Sequence, residues 1–241
     1  MNEKEGTSWK RKNPFWKRCM AADFILVCLI LGTVCIKMQE RVPAMGTANT
    51  KLLETHEKKK IAITFDDGPH PKYTEQLLDG LKERDVVATF FVTGEHAALH
   101  PDIIERMNEE GHLIGNHTYT HIQLTLQNRE KFKKELIDTN AVISKITGKE
   151  VLYVRPPYGT WDKSLEEELN MFPVLWNIDP VDWESKDSRG IARKVIAKAK
   201  EGGIILMHDY YKSSVQAALI IVDELKKEGY EFVTAEEILF D

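Results

Sequence analysis

The chain has 241 residues, of which 42% are hydrophobic and 29% are charged, and its net charge is −5. This length fits one large globular domain with an appendage, and the composition excludes a disordered or fibrous protein. Residues 1–36 have a net charge of +3, which leaves −8 for the rest of the chain. Because an acidic domain cannot neutralise nucleic-acid phosphates, we expect no nucleic-acid partner.

The N-terminal region contains one apolar segment, MAADFILVCLILGTVCI, over residues 20–36, in which Asp23 is the only charge. Its length is near the lower limit for a membrane-spanning helix. Six basic residues precede it, namely Lys4, Lys10, Arg11, Lys12, Lys17 and Arg18. The sequence therefore predicts a transmembrane helix, with its basic flank in the cytoplasm and the rest of the chain outside the cell.

This interpretation divides the chain into four parts. We predict a cytoplasmic tail over 1–18, a signal anchor over 19–37, a linker over 38–58 and an exported domain over 59–241. A signal peptide that is cleaved to release a secreted domain is an alternative, and a buried helix of a soluble protein is another. The domain is exported in the first two cases, and we expect it to be a monomer.

All three cysteines, Cys19, Cys28 and Cys35, lie in or beside the apolar segment. The exported domain thus has neither a disulfide nor a thiol nucleophile. Any metal site in it must use histidine and carboxylate ligands.

After the linker, short apolar runs alternate with amphipathic stretches. The predicted strands are 61–65, 88–92, 151–154, 173–177, 204–207 and 231–233. The predicted helices are 73–84, 101–110, 128–147, 162–170, 189–200 and 214–228, followed by a last turn with Thr234 and Glu237 as a capping box. Six or seven such βα units predict an α/β parallel barrel that falls short of the usual eight.

The residues with catalytic potential follow the predicted strands. These are Asp66, Asp67, His117, His121, Arg155, Asp179, Asp182 and His208. Since the carboxyl ends of barrel strands converge on one face, the scattered clusters predict a single site.

His117 and His121 are four residues apart, so on one helical turn both imidazoles would reach one metal ion. Such a pair alone is more often structural, but Asp67 supplies a third ligand. Two histidines and a carboxylate suit a catalytic zinc or another first-row divalent ion. Asp66 can then act as a general base.

His208 can act as the general acid, and Asp182 would favour its protonated form if the two are hydrogen-bonded. The other histidines of the domain are expected to be capping or exposed residues, namely His70, His96, His100 and His112. Trp183, beside Asp182, is the tryptophan expected to line a pocket.

Five segments in this order resemble the motifs of the NodB-like polysaccharide deacetylases, carbohydrate esterase family four. They are TFDDGP (64–69), HTYTH (117–121), RPPYG (155–159), DPVDW (179–183) and LMH (206–208). The resemblance implies a distorted (β/α) barrel and metal-dependent hydrolysis of N-acetyl groups on amino sugars. It extends over essentially the whole exported domain.

The resemblance also implies a role for each matched residue. Asp66 would be the base, Arg155 would orient it, and His208 would be the acid tuned by Asp182. The metal, most simply Zn²⁺ with Co²⁺ also suitable, would be held by Asp67, His117 and His121. The substrate would contact the backbone N–H of Tyr158 at the oxyanion and a small acetyl pocket formed by Trp183 and Leu206.

Together, the topology and the resemblance predict a membrane-anchored enzyme that removes acetyl groups from N-acetylglucosamine residues of peptidoglycan. A chitooligosaccharide deacetylase and an acetylxylan esterase are alternatives with the same machinery. A wall-binding protein without turnover is an alternative from another class, although it predicts erosion of the acid, the base or the ligands, and all of them are present.

Overall fold

The computed structural model describes residues 58–240. The predicted tail (1–18) and anchor (19–37), and the predicted linker up to residue 57, lie outside the described residues. Within residues 58–240, no helix is both long and apolar enough to cross a membrane.

Parallel strands and helices alternate along the chain. The strands are β1 Lys59–Asp66, β2 Thr89–Val92, β3 Leu113–Asn116, β4 Tyr153–Val154, β5 Phe172–Pro173, β6 Gly203–His208 and β7 Tyr230–Phe232. The helices are α1 Tyr73–Glu83, α2 Gly94–Leu99, α3 Pro101–Glu109, α4 Arg129–Thr147, α5 Ser164–Leu169, α6 Ser188–Ile196, α7 Lys212–Lys227 and α8 Ala235–Phe240. Short 3₁₀ turns form at Pro157–Gly159 and Asp182–Glu184.

The strands form one parallel sheet in the order β5-β4-β3-β2-β1-β6. β7 pairs with the first residues of β1, and β2 pairs with the last ones. Beyond β6, Ile178 pairs with Ile205. The α/β parallel architecture is therefore confirmed, in the form of a half-barrel whose strand path ends at β5 and β6.

The central strand β1 is apolar because both of its faces are buried. Ile61, Ile63 and Phe65 pack into the large core that the helices cover. Ala62 faces the opposite, smaller core. Since side chains alternate along a strand, Asp66 lies on the same face as Ala62.

Two elements were not predicted, β3 and α2. β3 has only four residues, and its Leu113 and Ile114 are half-buried, so it lacks the continuous apolar run that marks β1. α2 has six residues and begins two residues after β2, where the sequence offers no helical period. Both elements are stabilised by contacts with other segments of the same chain rather than by a hydrophobic pattern in their own sequence.

Some of the predicted helix boundaries are confirmed by the structure. Pro101 begins α3 and Gly148 ends α4 in a left-handed conformation with φ of 69°. Thr234 and Glu237 form the predicted capping box, with the Thr234 N–H donating to Oε1 of Glu237 at 3.1 Å. Short-range signals at these positions are sufficient because the capping bonds are local.

Candidate active site

A cavity of about 430 Å³ lies at the carboxyl edge of the sheet. Nine of the eleven predicted site residues line it: Asp66, Asp67, His117, His121, Tyr158, Asp179, Trp183, Leu206 and His208. Arg155 and Asp182 are fully buried behind them. The half-barrel thus brings the predicted residues together, as the strand ends required.

Asp67, His117 and His121 form one cluster in the wall of the cavity. Oδ1 of Asp67 lies 3.5 Å from Nε2 of His117 and 3.4 Å from Nε2 of His121. One potential ligand atom from each residue lies within 4.8 Å of the others.

The two histidines do not share a helical turn, so that part of the prediction is wrong. They lie in the loop after β3, where Thr118 and His121 adopt positive φ angles of 63° and 56°. Glu135 of α4 fixes this loop, because its carboxylate accepts the backbone N–H of Thr120 at 2.8 Å. A tight loop, rather than helical spacing, directs both imidazoles to Asp67.

The hydrogen bond made by Nδ1 of His117 leaves Nε2 of the ring available as a ligand. Nδ1 of His117 lies 2.6 Å from the carbonyl oxygen of Arg155. Because a carbonyl only accepts, Nδ1 must bear the hydrogen, and Nε2 of the neutral ring has a free lone pair.

The chemistry of this cluster fits a divalent cation. Oδ1 of Asp67 is buried and, among the described residues, has no hydrogen-bond partner. Burial raises the pKa of the Asp67 carboxyl, but the contact with His117 and the positive charges that His117, His208 and His121 carry when they are protonated outweigh it and lower that pKa to about 2. An ionised, unpartnered oxygen between two imidazole nitrogens is a donor set that suits zinc and related ions.

Asp66 is held from behind by Arg155. Nη1 of Arg155 donates to Oδ1 of Asp66 at 2.8 Å and to Oγ1 of Thr64 at 2.6 Å, while Nε donates to the carbonyl of Val174 at 3.0 Å. The guanidinium also lies 4.2 Å from the ring centre of Phe91. Asp66 is therefore fixed through Oδ1, and Oδ2 is the oxygen on the side of His117.

Asp182 holds His208 at two points. Its Oδ1 lies 2.8 Å from Nδ1 of His208, and its Oδ2 accepts the backbone N–H of His208 at 2.9 Å. Burial lowers the pKa of His208, but the hydrogen bond to Asp182 and the negative charges of Asp182, Asp66 and Asp67 raise it overall to about 9. The imidazolium form is thus favoured at neutral pH.

The outer part of the cavity is aromatic. Tyr158 is 68% exposed, and its ring contacts the edge of His121 with centroids 5.2 Å apart. Trp183 is 54% exposed, whereas Leu206 is buried in the wall. An apolar rim above polar groups is typical of ligand-binding clefts.

Comparisons with known proteins agree with this geometry. The sequence profile of the polysaccharide deacetylase family matches residues 53–174, about half of the chain. The chain belongs to the polysaccharide deacetylase family.

Two curated members of the family illustrate the similarity. The peptidoglycan-N-acetylmuramic acid deacetylase PdaC of Bacillus subtilis is 38% identical over 204 residues, which cover 84% of this chain and 44% of PdaC. The peptidoglycan-N-acetylglucosamine deacetylase PgdA of Listeria monocytogenes is 37% identical over 198 residues, which cover 82% of this chain and 41% of PgdA. The chain spans less than half the length of these two relatives.

Solved structures of family members share the fold. The structure of PdaC superimposes with a TM-score of 0.72 at 38% identity and covers 76% of this chain and 91% of that chain. A family 4 acetyl xylan esterase from Clostridium thermocellum, in complex with cobalt, has a TM-score of 0.70 at 35% identity and covers 75% and 90%.

Three further polar residues lie near this site or the strands that carry it. The sequence predicts capping or exposed positions for two of them, His96 and His112, and does not single out the third, Asp209. His112 is buried rather than exposed, and His96 donates a hydrogen bond from Nδ1 to the carbonyl of Asp67 at 2.8 Å. Asp209 is fully buried, accepts a hydrogen bond from Thr74, and has its pKa raised to about 7 by burial.

Only Asp209 had a usable signal in the sequence, its position directly after His208. The partner of His96 is 29 residues away in the chain. No local pattern reports such a contact.

Proposed function

We propose that this protein is a metal-dependent deacetylase that removes acetyl groups from N-acetylglucosamine residues of cell-wall peptidoglycan. The observation that carries the proposal is the composition of one cavity. It combines a cluster suited to a divalent cation, a carboxylate held by a buried arginine, and a histidine whose pKa is raised to about 9. Metal-assisted amide hydrolysis uses an ion to polarise the carbonyl group, a base for the attacking water and an acid for the departing amine.

Asp67, His117 and His121 would hold the ion, with Zn²⁺ as the first candidate and Co²⁺ as the second. A divalent ion in such a site acidifies water and polarises a carbonyl oxygen. The family 4 esterase solved in complex with cobalt supports this assignment.

Asp66 would accept the proton of the attacking water. Its Oδ1 is occupied by Arg155, so Oδ2, 3.8 Å from Nε2 of His117, is the oxygen that can act as the base. Arg155 thereby orients Asp66 without contacting the substrate.

His208 would protonate the departing amine. Asp182 bonds to its Nδ1, so Nε2 is the nitrogen that donates. The backbone N–H of Tyr158 would stabilise the oxyanion. Trp183 and Leu206 would surround the acetyl methyl group.

The polymer and the sugar that carries the acetyl group have different support. The two curated relatives are named for different sugars of peptidoglycan, N-acetylmuramic acid and N-acetylglucosamine. Peptidoglycan is supported by both. N-acetylglucosamine rests on our sequence interpretation, as do a monomeric domain, the membrane anchor and an extracellular location.

The reaction is tested by acetate release from peptidoglycan, N-acetylglucosamine oligomers and acetylxylan, using the purified full chain loaded with zinc or cobalt. We expect release from peptidoglycan that a chelator abolishes and added metal restores. Preferred release from the oligomers or from acetylxylan would instead favour the corresponding alternative enzyme.

Glycan binding without release from any substrate, at full metal occupancy, would contradict the proposal and favour a wall-binding protein. Mass analysis of muramidase digests separates the two sugars, because each product carries the loss of one acetyl group on an identified residue.

The anchor is tested separately by cell fractionation. We expect the full-length chain in the membrane fraction, with the domain accessible to protease added outside the cell. A shortened form in the medium would show that the signal is cleaved.

A further inference from the structure

Helix α2 contacts both chain segments that carry the proposed metal ligands. The backbone N–H groups of Gly94 and Glu95 donate to the carbonyls of Thr118 and Tyr119, at 3.0 and 3.1 Å. Nδ1 of His96 lies 2.8 Å from the carbonyl oxygen of Asp67. One turn of helix thus connects the loop of His117 and His121 with the end of β1.

The contact of His96 falls where the backbone needs support. Asp67 has a φ angle of 74°, in the left-handed region that residues other than glycine seldom adopt. Because a carbonyl only accepts, His96 must carry its hydrogen on Nδ1. Its hydrogen bond fixes the peptide plane after Asp67 and therefore restrains the direction of the Asp67 side chain.

His96 is itself held in place. Its ring stacks on Tyr210, which follows β6, with ring centroids 5.3 Å apart and planes at 26°. The start of α2 is also tightly packed, because a Cβ atom at Gly94 would overlap Tyr119 and Thr139. The helix cannot shift easily relative to either ligand-bearing segment.

We propose that His96 is a positioning residue for the metal site, which sets Asp67 at the correct distance from His117 and His121. This inference rests on the proposed metal site. His96 does not contact the ion or the substrate. It acts through the backbone of Asp67, and its effect is on metal affinity, because a misplaced ligand must reorganise before it can bind.

The test measures the dissociation constant of zinc for the purified full chain, by competition with a chromophoric chelator. Two substitutions separate the hydrogen bond from packing. His96→Leu keeps much of the side-chain volume but removes the donor. His96→Asn places an amide N–H the same number of bonds from Cα as Nδ1. His100→Ala is the control, since His100 lies at the end of the same helix and its side chain has no hydrogen bond among the described residues.

We expect His96→Leu to weaken zinc binding by about 10- to 100-fold. His96→Asn should recover most of this loss, and His100→Ala should stay within about twofold of the wild type. Thermal unfolding without metal checks that each variant is folded, and His96→Ala replaces the leucine variant if that one does not unfold cooperatively.

Equal affinities for the wild type and the donor-less variant would overturn the inference and leave the proposed function intact. A loss that asparagine does not recover would also overturn it, because packing alone would then explain the effect. Failure of the wild type to bind zinc would instead overturn the proposed metal site.

Discussion

The two ends of β3 each carry a buried histidine, and the two side chains have opposite chemistry. At the amino end, Nδ1 of His112 accepts the backbone N–H of Ala88 at 3.1 Å, so its hydrogen is on Nε2. At the carboxyl end, Nδ1 of His117 donates to the carbonyl of Arg155, so Nε2 is a free lone pair.

This difference teaches that burial does not decide whether a histidine can bind a metal. Both rings are almost fully buried. What decides is the group that is hydrogen-bonded to Nδ1. A carbonyl oxygen requires the hydrogen on Nδ1 and leaves Nε2 with a lone pair, whereas a backbone N–H requires the lone pair on Nδ1 and leaves the hydrogen on Nε2. The amino edge of the sheet therefore uses His112 for packing, and the carboxyl edge presents His117 to Asp67.

The largest expected effect comes from replacing one histidine of this pair at a time. His117→Ala should abolish metal binding and reduce deacetylation by about 10³-fold or more, since the ion supplies several kcal/mol of transition-state stabilisation. His112→Ala should retain metal. The two variants are compared by their metal content, measured by mass spectrometry, and by their rates of acetate release. Loss of metal from both variants would contradict the assignment of His117 to the metal site and His112 to packing.

A second test separates metal binding from catalysis within the carboxyl edge. Asp66→Asn should lower kcat by about 10²–10⁴-fold, because the amide cannot accept a proton. The variant should keep its metal, since Asp67 is unchanged. The measurement is the rate of acetate release at a verified one-to-one zinc content. Undiminished turnover would show that another group is the base.

At the amino edge of the sheet, we expect His112 to make the stability of the fold depend on pH. Burial lowers the pKa of His112 to about 4. Since this value lies below that of the unfolded chain, the contribution of His112 to stability is present above pH 6.5 and is lost as pH falls towards 4.

We therefore expect the wild type to lose about 1.5 kcal/mol more stability than His112→Asn between pH 6.5 and 5. Urea unfolding at the two pH values measures both proteins. Identical pH dependence would mean that folding leaves the pKa of His112 unchanged, contrary to its burial and its hydrogen bond from Ala88.

The smallest expected effect is a shift in the pH dependence of kcat, through the general acid His208. Asp182→Asn removes the charge that raises the pKa of His208, so that pKa should fall by about 1–2 units. Because the acid must be protonated, the alkaline limb of the kcat profile should move to lower pH. Rates from pH 6 to 10 show the shift, and an unmoved limb would assign it to another group.

The sequence predicted the site more completely than the fold. Asp66 and Asp67 follow the largely apolar run 61–65, and His208 follows the apolar run 204–207, so their positions at strand ends were readable from local patterns. β3 could not be read in the same way. It is short and half-buried, and its pairing with β2 and β4 makes it a strand.

The sequence by itself determined which residue types meet at the site, because motif order and strand ends are properties of the chain. Only the tertiary structure decided how they work. The loop after β3, and not a helix, directs His117 and His121 towards Asp67. The carbonyl of Arg155 selects the tautomer of His117, and α2 brings His96 to Asp67. These are contacts between residues 29 to 54 positions apart in the chain, and contacts over such separations leave no periodic trace in a sequence.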